Sequence, residues 1–364
     1  MSITSNELLT IARQFCLDTP AVDCAPYGNG LINKTYYVTT ESGQHYILQQ
    51  LSEEAFHDIP ALMNNVSLIA DYLSKQNEGT EKESIIVFPI RTVDGGTFIH
   101  TENGYYRMTP FAEGTIALDA PESAEDFYQS AVGFGSFISE LKDFPAETLV
   151  ETIPNFHNTA DRYRIFHEAL EKDVCGRAKD IQPEVEFLLA REKECSSLQQ
   201  MRDDGTLPTR VTHNDTKLNN VLLDAKTRTP KYVIDLDTVM PGLSLYDYGD
   251  CIRFGACTAA EDEPDTSKID INLDLFRIFT KGFLESCKGL TDLEIELLPL
   301  GAKTITVELA MRFLTDYLNG DVYFGTKYAG HNLVRCRAQE ALAVAMEKKF
   351  DRMKAIVAEE NAKA

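Results

Sequence analysis

The stretch VTHNDTKLNNVLLD, Val211 to Asp224, places His213, Asn214, Asp215, Asn219 and Asn220 just ahead of the apolar run Val221–Leu223. Asn and Asp hydrogen-bond locally and tolerate unusual backbone angles, so a turn between two strands accounts for part of this pattern. A turn does not call for His213. Nor does it call for Asp235, twenty residues beyond Asp215, which ends the apolar run Tyr232–Ile234 inside YVIDLDTVMPG. A carboxylate that ends a buried strand is costly unless something pairs with it.

Working outward, the chain changes character along its length. Residues 5–17 have the spacing of a short amphipathic helix with Ser5 as its N-cap. From Val22 to Gln50, β-branched and aromatic runs punctuated by Gly and Asn predict two or three antiparallel strands. Helical spacing returns in DIPALMNNVSLIADYLSKQ, at Leu62, Val66, Ile69 and Leu73. SIIVFPIRT and GTFIHTENGYYRMTPF predict further strands, with Asn103-Gly104 as a hairpin signal. Beyond FAEGT, helical patterns dominate, around 122–142, 160–173, 183–201, 243–254, 272–288, 292–319 and 332–360. The exception is 209–238, where two β-rich runs flank the polar loop. The expected fold is therefore α+β and two-lobed: a small antiparallel-sheet lobe over 1–113 and a larger, mainly helical lobe over 114–364.

The chain has 364 residues, more than one hydrophobic core usually serves. Its net charge of −22, from 35 basic and 57 acidic residues, argues against sequence-independent nucleic-acid binding and against anionic membrane surfaces. The eight cysteines include no C-x-x-C pair, so neither a zinc site nor a redox motif is suggested. The opening segment lacks a basic stretch followed by a long apolar run, and no apolar stretch is long enough to span a bilayer. A cytoplasmic setting with reduced thiols is expected, and a monomer, since no coiled-coil seam or repeat is visible.

Within the polar stretch the spacing suggests a division of labour. Mg²⁺ takes oxygen ligands, commonly one or two carboxylates together with substrate phosphates. Asn220 and Asp235, on adjacent strands of one ribbon, could supply two such ligands, leaving Asp215 to accept a proton from a substrate hydroxyl. The H-x-D-x-x-x-x-N string followed by a second Asp is the arrangement of kinases. His213 reads as a residue that holds the loop by hydrogen bonds. Asp237 either joins the metal ligands or caps the turn before Pro241-Gly242. Asp247 either hydrogen-bonds the loop or caps a helix, and Asp250 leans to plain capping. No G-x-x-x-x-G-K-[ST] is present. Gly28 and Gly30, in YGNGLINKTYY, form either a simple hairpin or a turn whose backbone approaches phosphates.

HNDTKLNN together with IDLDT resembles the aminoglycoside phosphotransferase and choline kinase superfamily, whose fold is protein-kinase-like. Longer strings, among them PYGNGLINKTYYVTT, FHNT, RVTHNDTKLNNVLLD, MRFLTDYLNGDVYF and KYAGHNLVR, are similar to the N-acetylhexosamine 1-kinases over nearly the full length. The resemblance implies ATP- and Mg²⁺-dependent phosphorylation of the anomeric hydroxyl of N-acetylglucosamine or N-acetylgalactosamine. It implies Asp215 as base and Asn220 and Asp235 as Mg²⁺ ligands. The loop from Gly28 to Asn33 would lie over the phosphates and touch the sugar. Backbone from Phe111 to Glu113 would meet the adenine, and Phe254 and Arg312 would line the sugar site. An Arg on an apolar helix face needs a partner, which could be a sugar hydroxyl or an internal carboxylate.

The resemblance has departures. The third strand of the kinase fold normally carries a Lys that binds phosphates; YILQQL has Gln49 or Gln50 there. Leu31 stands where the resemblance leads one to expect a polar residue. Rival readings are a kinase of the same fold for choline, homoserine or an aminoglycoside, and a nucleotide-binding module without catalysis.

Overall fold

The computed structural model describes residues 3–28, 32–80 and 83–364. It opens with α1 (Ser5–Ala12), and the N-cap is Thr4 rather than Ser5. Thr4 Oγ1 accepts the Glu7 N–H, while the Glu7 carboxylate accepts the Thr4 N–H at 2.7 Å. This reciprocal box satisfies two otherwise orphaned donors, which a cap at Ser5 could not match.

Strands β1 (Ala21–Pro26), β2 (Lys34–Thr40) and β3 (His45–Leu51) run as an antiparallel meander. Helix α2 (Ile59–Asn77) comes next, then the hairpin of β4 (Ile99–Thr101) and β5 (Gly104–Pro110). The sheet order is β1-β2-β3-β5-β4. Strand alternation divides its faces. Tyr36, Val38, Leu48, Tyr106 and Met108 share a small core with Leu8, Ile11 and Phe15. Thr35, Gln49 and Arg107 are in register on the opposite face. Helix α2 packs elsewhere: Ile59, Leu62, Met63 and Ile69 belong to the core of the large lobe.

The segment SIIVFPIRT is not a strand. Its hydrogen bonds go to separate elements: Ile85 O accepts from Val233, and the Ile90 N–H donates to Met108 O. Pro89 lacks a donor in its middle, so no continuous ladder forms.

The larger lobe begins with β6 (Thr115–Ile116) and α3 (Ala124–Glu140), then α4 (Thr159–Lys172), α5 (Gln182–Leu189), α6 (Glu192–Cys195) and α7 (Ser197–Asp203). The single helix expected over 183–201 is thus three pieces. Arg191 turns back to donate to Phe187 O at 2.8 Å, and Ser197 Oγ donates to Glu194 O at 2.6 Å. Side chains thereby satisfy helix-end carbonyls. Next come β7 (Arg210–Thr212), β8 (Val221–Asp224), β9 (Pro230–Val233) and β10 (Met240–Gly242). β7 pairs with β10, and β8 and β9 form a ribbon joined by β6. Helices α8 (Ser244–Gly255), α9 (Leu273–Ser286), α10 (Asp292–Leu318), α11 (His331–Lys348) and α12 (Phe350–Asn361) complete the chain. The pattern read as one helix over 332–360 breaks at Lys349, whose ammonium binds Asp270 at 2.7 Å. No helix among the described residues is long and apolar enough to cross a membrane.

Two glycines let α8 and α10 meet backbone to backbone. A Cβ on Gly301 would sit 2.6 Å from Leu245 O, and one on Gly249 would sit 2.7 Å from Gly301 O. Alanine is the better helix former by about 1 kcal/mol, yet overpacking costs ~1–3 kcal/mol. Gly301→Ala is therefore expected to lower the urea midpoint, and a raised midpoint would contradict this contact.

Candidate active site

The polar loop between β7 and β8 is held from behind by Asp247, near the start of α8. Its carboxylate accepts the N–H of His213 at 2.7 Å and that of Asn214 at 2.8 Å. The N-cap of α8 is Leu243, so Asp247 serves the loop rather than capping the helix. Burial pushes its carboxyl up from the usual range, opposed by His213 and by the two N–H donors. His213 is fully buried and its Nε2 lies 2.9 Å from Ile234 O, the residue before Asp235. The contact ties the loop to the end of the far strand of the ribbon. Asn214 takes the left-handed conformation at φ 63°, and Asp235 does so at φ 60°. Asn and Asp adopt this region more readily than other side-chain residues.

These bends bring the expected residues together at one end of the ribbon. Val221 pairs with Val233, and the Ile234 N–H donates to Asn220 O at 2.9 Å. Asn220 Nδ2 donates to Asp215 O at 2.8 Å and to Asp215 Oδ2 at 3.3 Å. Lys217, to which no role was given from sequence, lies with its Nζ 2.9 Å from Asp215 Oδ1. Asp235 is exposed, with protein packed around it that partly desolvates its carboxylate. That desolvation and the neighbouring Asp237 carboxylate push its pKa up to about 6, against the pull of Arg107.

The donor set suits a hard cation. Among the described residues, nothing donates a hydrogen bond to the Asp235 carboxylate or to Asn220 Oδ1. No three His, Cys, Asp or Glu side chains there form a self-sufficient metal site. Mg²⁺ does not need one, since it commonly retains water and substrate phosphates.

Asp237 does not cap the turn. It is buried, bonded to Arg107 of β5 through one carboxylate oxygen and to Asn33 through the other, with Asn33 Nδ2 donating at 2.6 Å. Asn33 Oδ1 accepts the Ser52 N–H at 3.0 Å, so both ends of its amide are engaged. Arg107 Nε donates to Gln49 Oε1 at 2.9 Å. This settles which Gln faces the cleft, since Gln50 turns away to Asn103 O. Asn65 of α2 joins the lobes too, donating to Val150 O at 2.8 Å and to Val239 O at 3.2 Å.

At the connector, Phe111 makes edge contacts with Tyr27 and Tyr37, centroids 5.8 and 5.0 Å apart. The Phe111 N–H donates to His45 O and the Glu113 N–H to Phe111 O. Gly28 has a positive φ of 69°. Gly30 and Leu31 lie outside the described residues.

Arg312 of α10 lies 3.7 Å from Glu308, one turn earlier, and over the rings of Phe156, Tyr323 and Phe324. The internal carboxylate is thus its partner, yet Arg312 donates no hydrogen bond among the described residues. Phe254, in the last turn of α8, is 38% exposed and is not among the rings stacked on Arg312. Asp250 is no cap: it is paired with Arg253 at 2.8 Å. His157 escaped the sequence reading. It links Glu308 at 3.0 Å to Asn214 O at 3.3 Å, connecting α10 to the polar loop. The sequence signals for this cluster are the string FHNT, which contains His157 but was given no role, and Glu308 standing four residues before Arg312.

A small antiparallel sheet over a helical lobe, with an Asp-bearing loop and a second Asp across a ribbon, defines a protein-kinase-like fold. Solved structures agree at the level of fold. An aminoglycoside phosphotransferase from Alicyclobacillus acidocaldarius aligns with a TM-score of 0.64 at 13% identity, covering 100% of this chain and 98% of the other. A spectinomycin phosphotransferase in complex with ADP and spectinomycin gives 0.60 at 14%, covering 96% and 100%. A choline kinase from Cryptosporidium parvum gives 0.57 at 13%, covering 95% and 96%. Residues 23–277, well over half of the chain, match the model of the phosphotransferase enzyme family. The chain belongs to that family and is a phosphotransferase.

Proposed function

We propose that the protein transfers the γ-phosphoryl group of ATP to the anomeric hydroxyl of an N-acetylhexosamine, giving the sugar 1-phosphate and ADP. The observation that carries the transfer is the convergence of Asp215, Asn220 and Asp235 at one end of the ribbon. The sugar assignment rests on the long strings shared with N-acetylhexosamine 1-kinases.

In this reading the lobe over 1–113 binds nucleotide and that over 114–364 carries catalysis and the acceptor. Adenine lies by Phe111–Glu113, beside Tyr27 and Tyr37, with Gly28 near the phosphates. Asp215 orients the acceptor hydroxyl and takes its proton as the new oxygen–phosphorus bond forms and the bond to the β-phosphate oxygen breaks. Asn220 and Asp235 would hold Mg²⁺, which supplies positive charge to the phosphates. Phosphoryl transfer asks mainly for positioning and charge stabilisation, and Asp247 and His213 supply the positioning by fixing the loop. Arg312 and Phe254 line the acceptor pocket, with Asn33 above.

The guanidinium of Arg312 already covers three aromatic faces that a cationic acceptor would use. A choline-type substrate would meet like charge there. The test is ADP release with Mg·ATP and, separately, N-acetylglucosamine, N-acetylgalactosamine, galactose, choline, homoserine or kanamycin. Turnover concentrated on the two N-acetylhexosamines is expected. Faster turnover with choline, homoserine or kanamycin would overturn the sugar assignment while leaving the catalytic loop in place.

A further inference from the structure

The third strand carries no lysine, so the cation that would meet the nucleotide phosphates must come from elsewhere. We propose that Arg107, on the neighbouring strand β5, supplies it across the sheet. This rests on the phosphotransferase reading and extends it to one residue.

Gln49 and Arg107 are directly paired across β3 and β5, so their side chains leave the sheet on the same face. Arg107 is 5% exposed and held at two points, Nε on Gln49 Oε1 and one terminal nitrogen on Asp237. Its other terminal nitrogen donates no hydrogen bond among the described residues. Asp237, which anchors Arg107, lies two residues beyond Asp235 in the chain. Arg107 is thus fixed, with one terminal nitrogen uncommitted among the described residues, by the residue two positions beyond the one that would hold the metal.

Where a lysine concentrates its donors on one nitrogen, an arginine spreads them over three separated ones. Its planar fork has five N–H donors, enough to hold Gln49 and Asp237 and still offer one to a phosphate oxygen. Gln49 then has a role of its own: it aims the guanidinium from the strand position where a lysine normally stands. Asp237 supplies the buried counter-charge that an isolated guanidinium would lack.

The test compares ATP and adenosine, each with Mg²⁺, by calorimetric titration of wild type and of Arg107→Met. Adenosine carries no phosphate, so the ratio of the two affinities isolates the phosphate contacts from folding and from the adenine pocket. A hydrogen bond to a charged group is worth a factor of about 10–100. Arg107→Met is expected to lose that factor for ATP and to bind adenosine within about twofold of wild type. If the variant keeps the full wild-type preference for ATP over adenosine, the proposal fails and Arg107 is a strut between the lobes. Should removing Arg107 alone unfold the protein by stranding Asp237, the double variant Arg107→Gln with Asp237→Asn removes both charges, and the same ratio decides. A wild-type protein that binds no ATP would overturn the proposal of ATP as phosphoryl donor, an outcome distinct from normal ATP binding that Arg107→Met leaves intact.

Discussion

Asp215→Asn is expected to lower turnover by about 10²- to 10⁴-fold, the usual contribution of a positioned acid–base group, while the protein stays folded. The substitution keeps the side-chain shape. Asn220 Nδ2 also donates to the backbone carbonyl of residue 215, so the loop keeps that tie. What is lost is the carboxylate proposed to take the acceptor proton, together with the ion pair to Lys217. The ion pair is half exposed and contributes little to stability. The measurements are the rate of ADP release at saturating substrates and a thermal melt on the same sample. An undiminished rate with an unchanged melt would remove Asp215 from the role of base.

Asp247→Ala is expected to cost both stability and activity. The carboxylate accepts two backbone N–H groups, at His213 and Asn214, which are 0% and 7% exposed. Without it both donors are stranded in the interior, at about 1–3 kcal/mol each. The summed loss, roughly 2–6 kcal/mol, is a large share of the 5–15 kcal/mol by which a typical domain is stable. Thr216 also hydrogen-bonds the backbone carbonyl of residue 247, so the loop keeps a partial anchor and should loosen rather than detach. Asp247→Asn retains one acceptor and should fall between Asp247→Ala and wild type. Urea unfolding reads the first effect and turnover the second. A variant with wild-type midpoint and wild-type rate would show that Asp247 does not hold this loop.

What the sequence made legible is what local chemistry encodes. The Asp215–Asn220 spacing, the carboxylate after YVI and the Asn103-Gly104 hairpin all derive from short-range rules, and each has its counterpart in the structure. The failures have physical causes too. SIIVFPIRT has strand composition, but Pro89 and the dispersal of its hydrogen bonds keep it from joining a ladder. The helix over 183–201 breaks where Arg191 and Ser197 satisfy helix-end carbonyls with their own side chains. Ser5 lost the cap to Thr4 because only Thr4 has a Glu three positions on. Arg107 was invisible for a different reason. In YYRMTP it is one charged residue in an alternating strand, and its meaning depends on the register that sets it against Gln49 and on a contact with Asp237, 130 residues away. His157 needs Glu308 and Asn214 in the same way. Sites assembled across lobes are written in tertiary contacts.

The most direct test of the central claim tracks the γ-phosphate itself. Mg·ATP, N-acetylglucosamine and the protein are incubated and observed by phosphorus NMR. The expected result is loss of the ATP γ resonance with growth of ADP and of a phosphomonoester coupled to the anomeric proton. ATP that persists, or phosphate released only to water with every acceptor offered, would contradict the account.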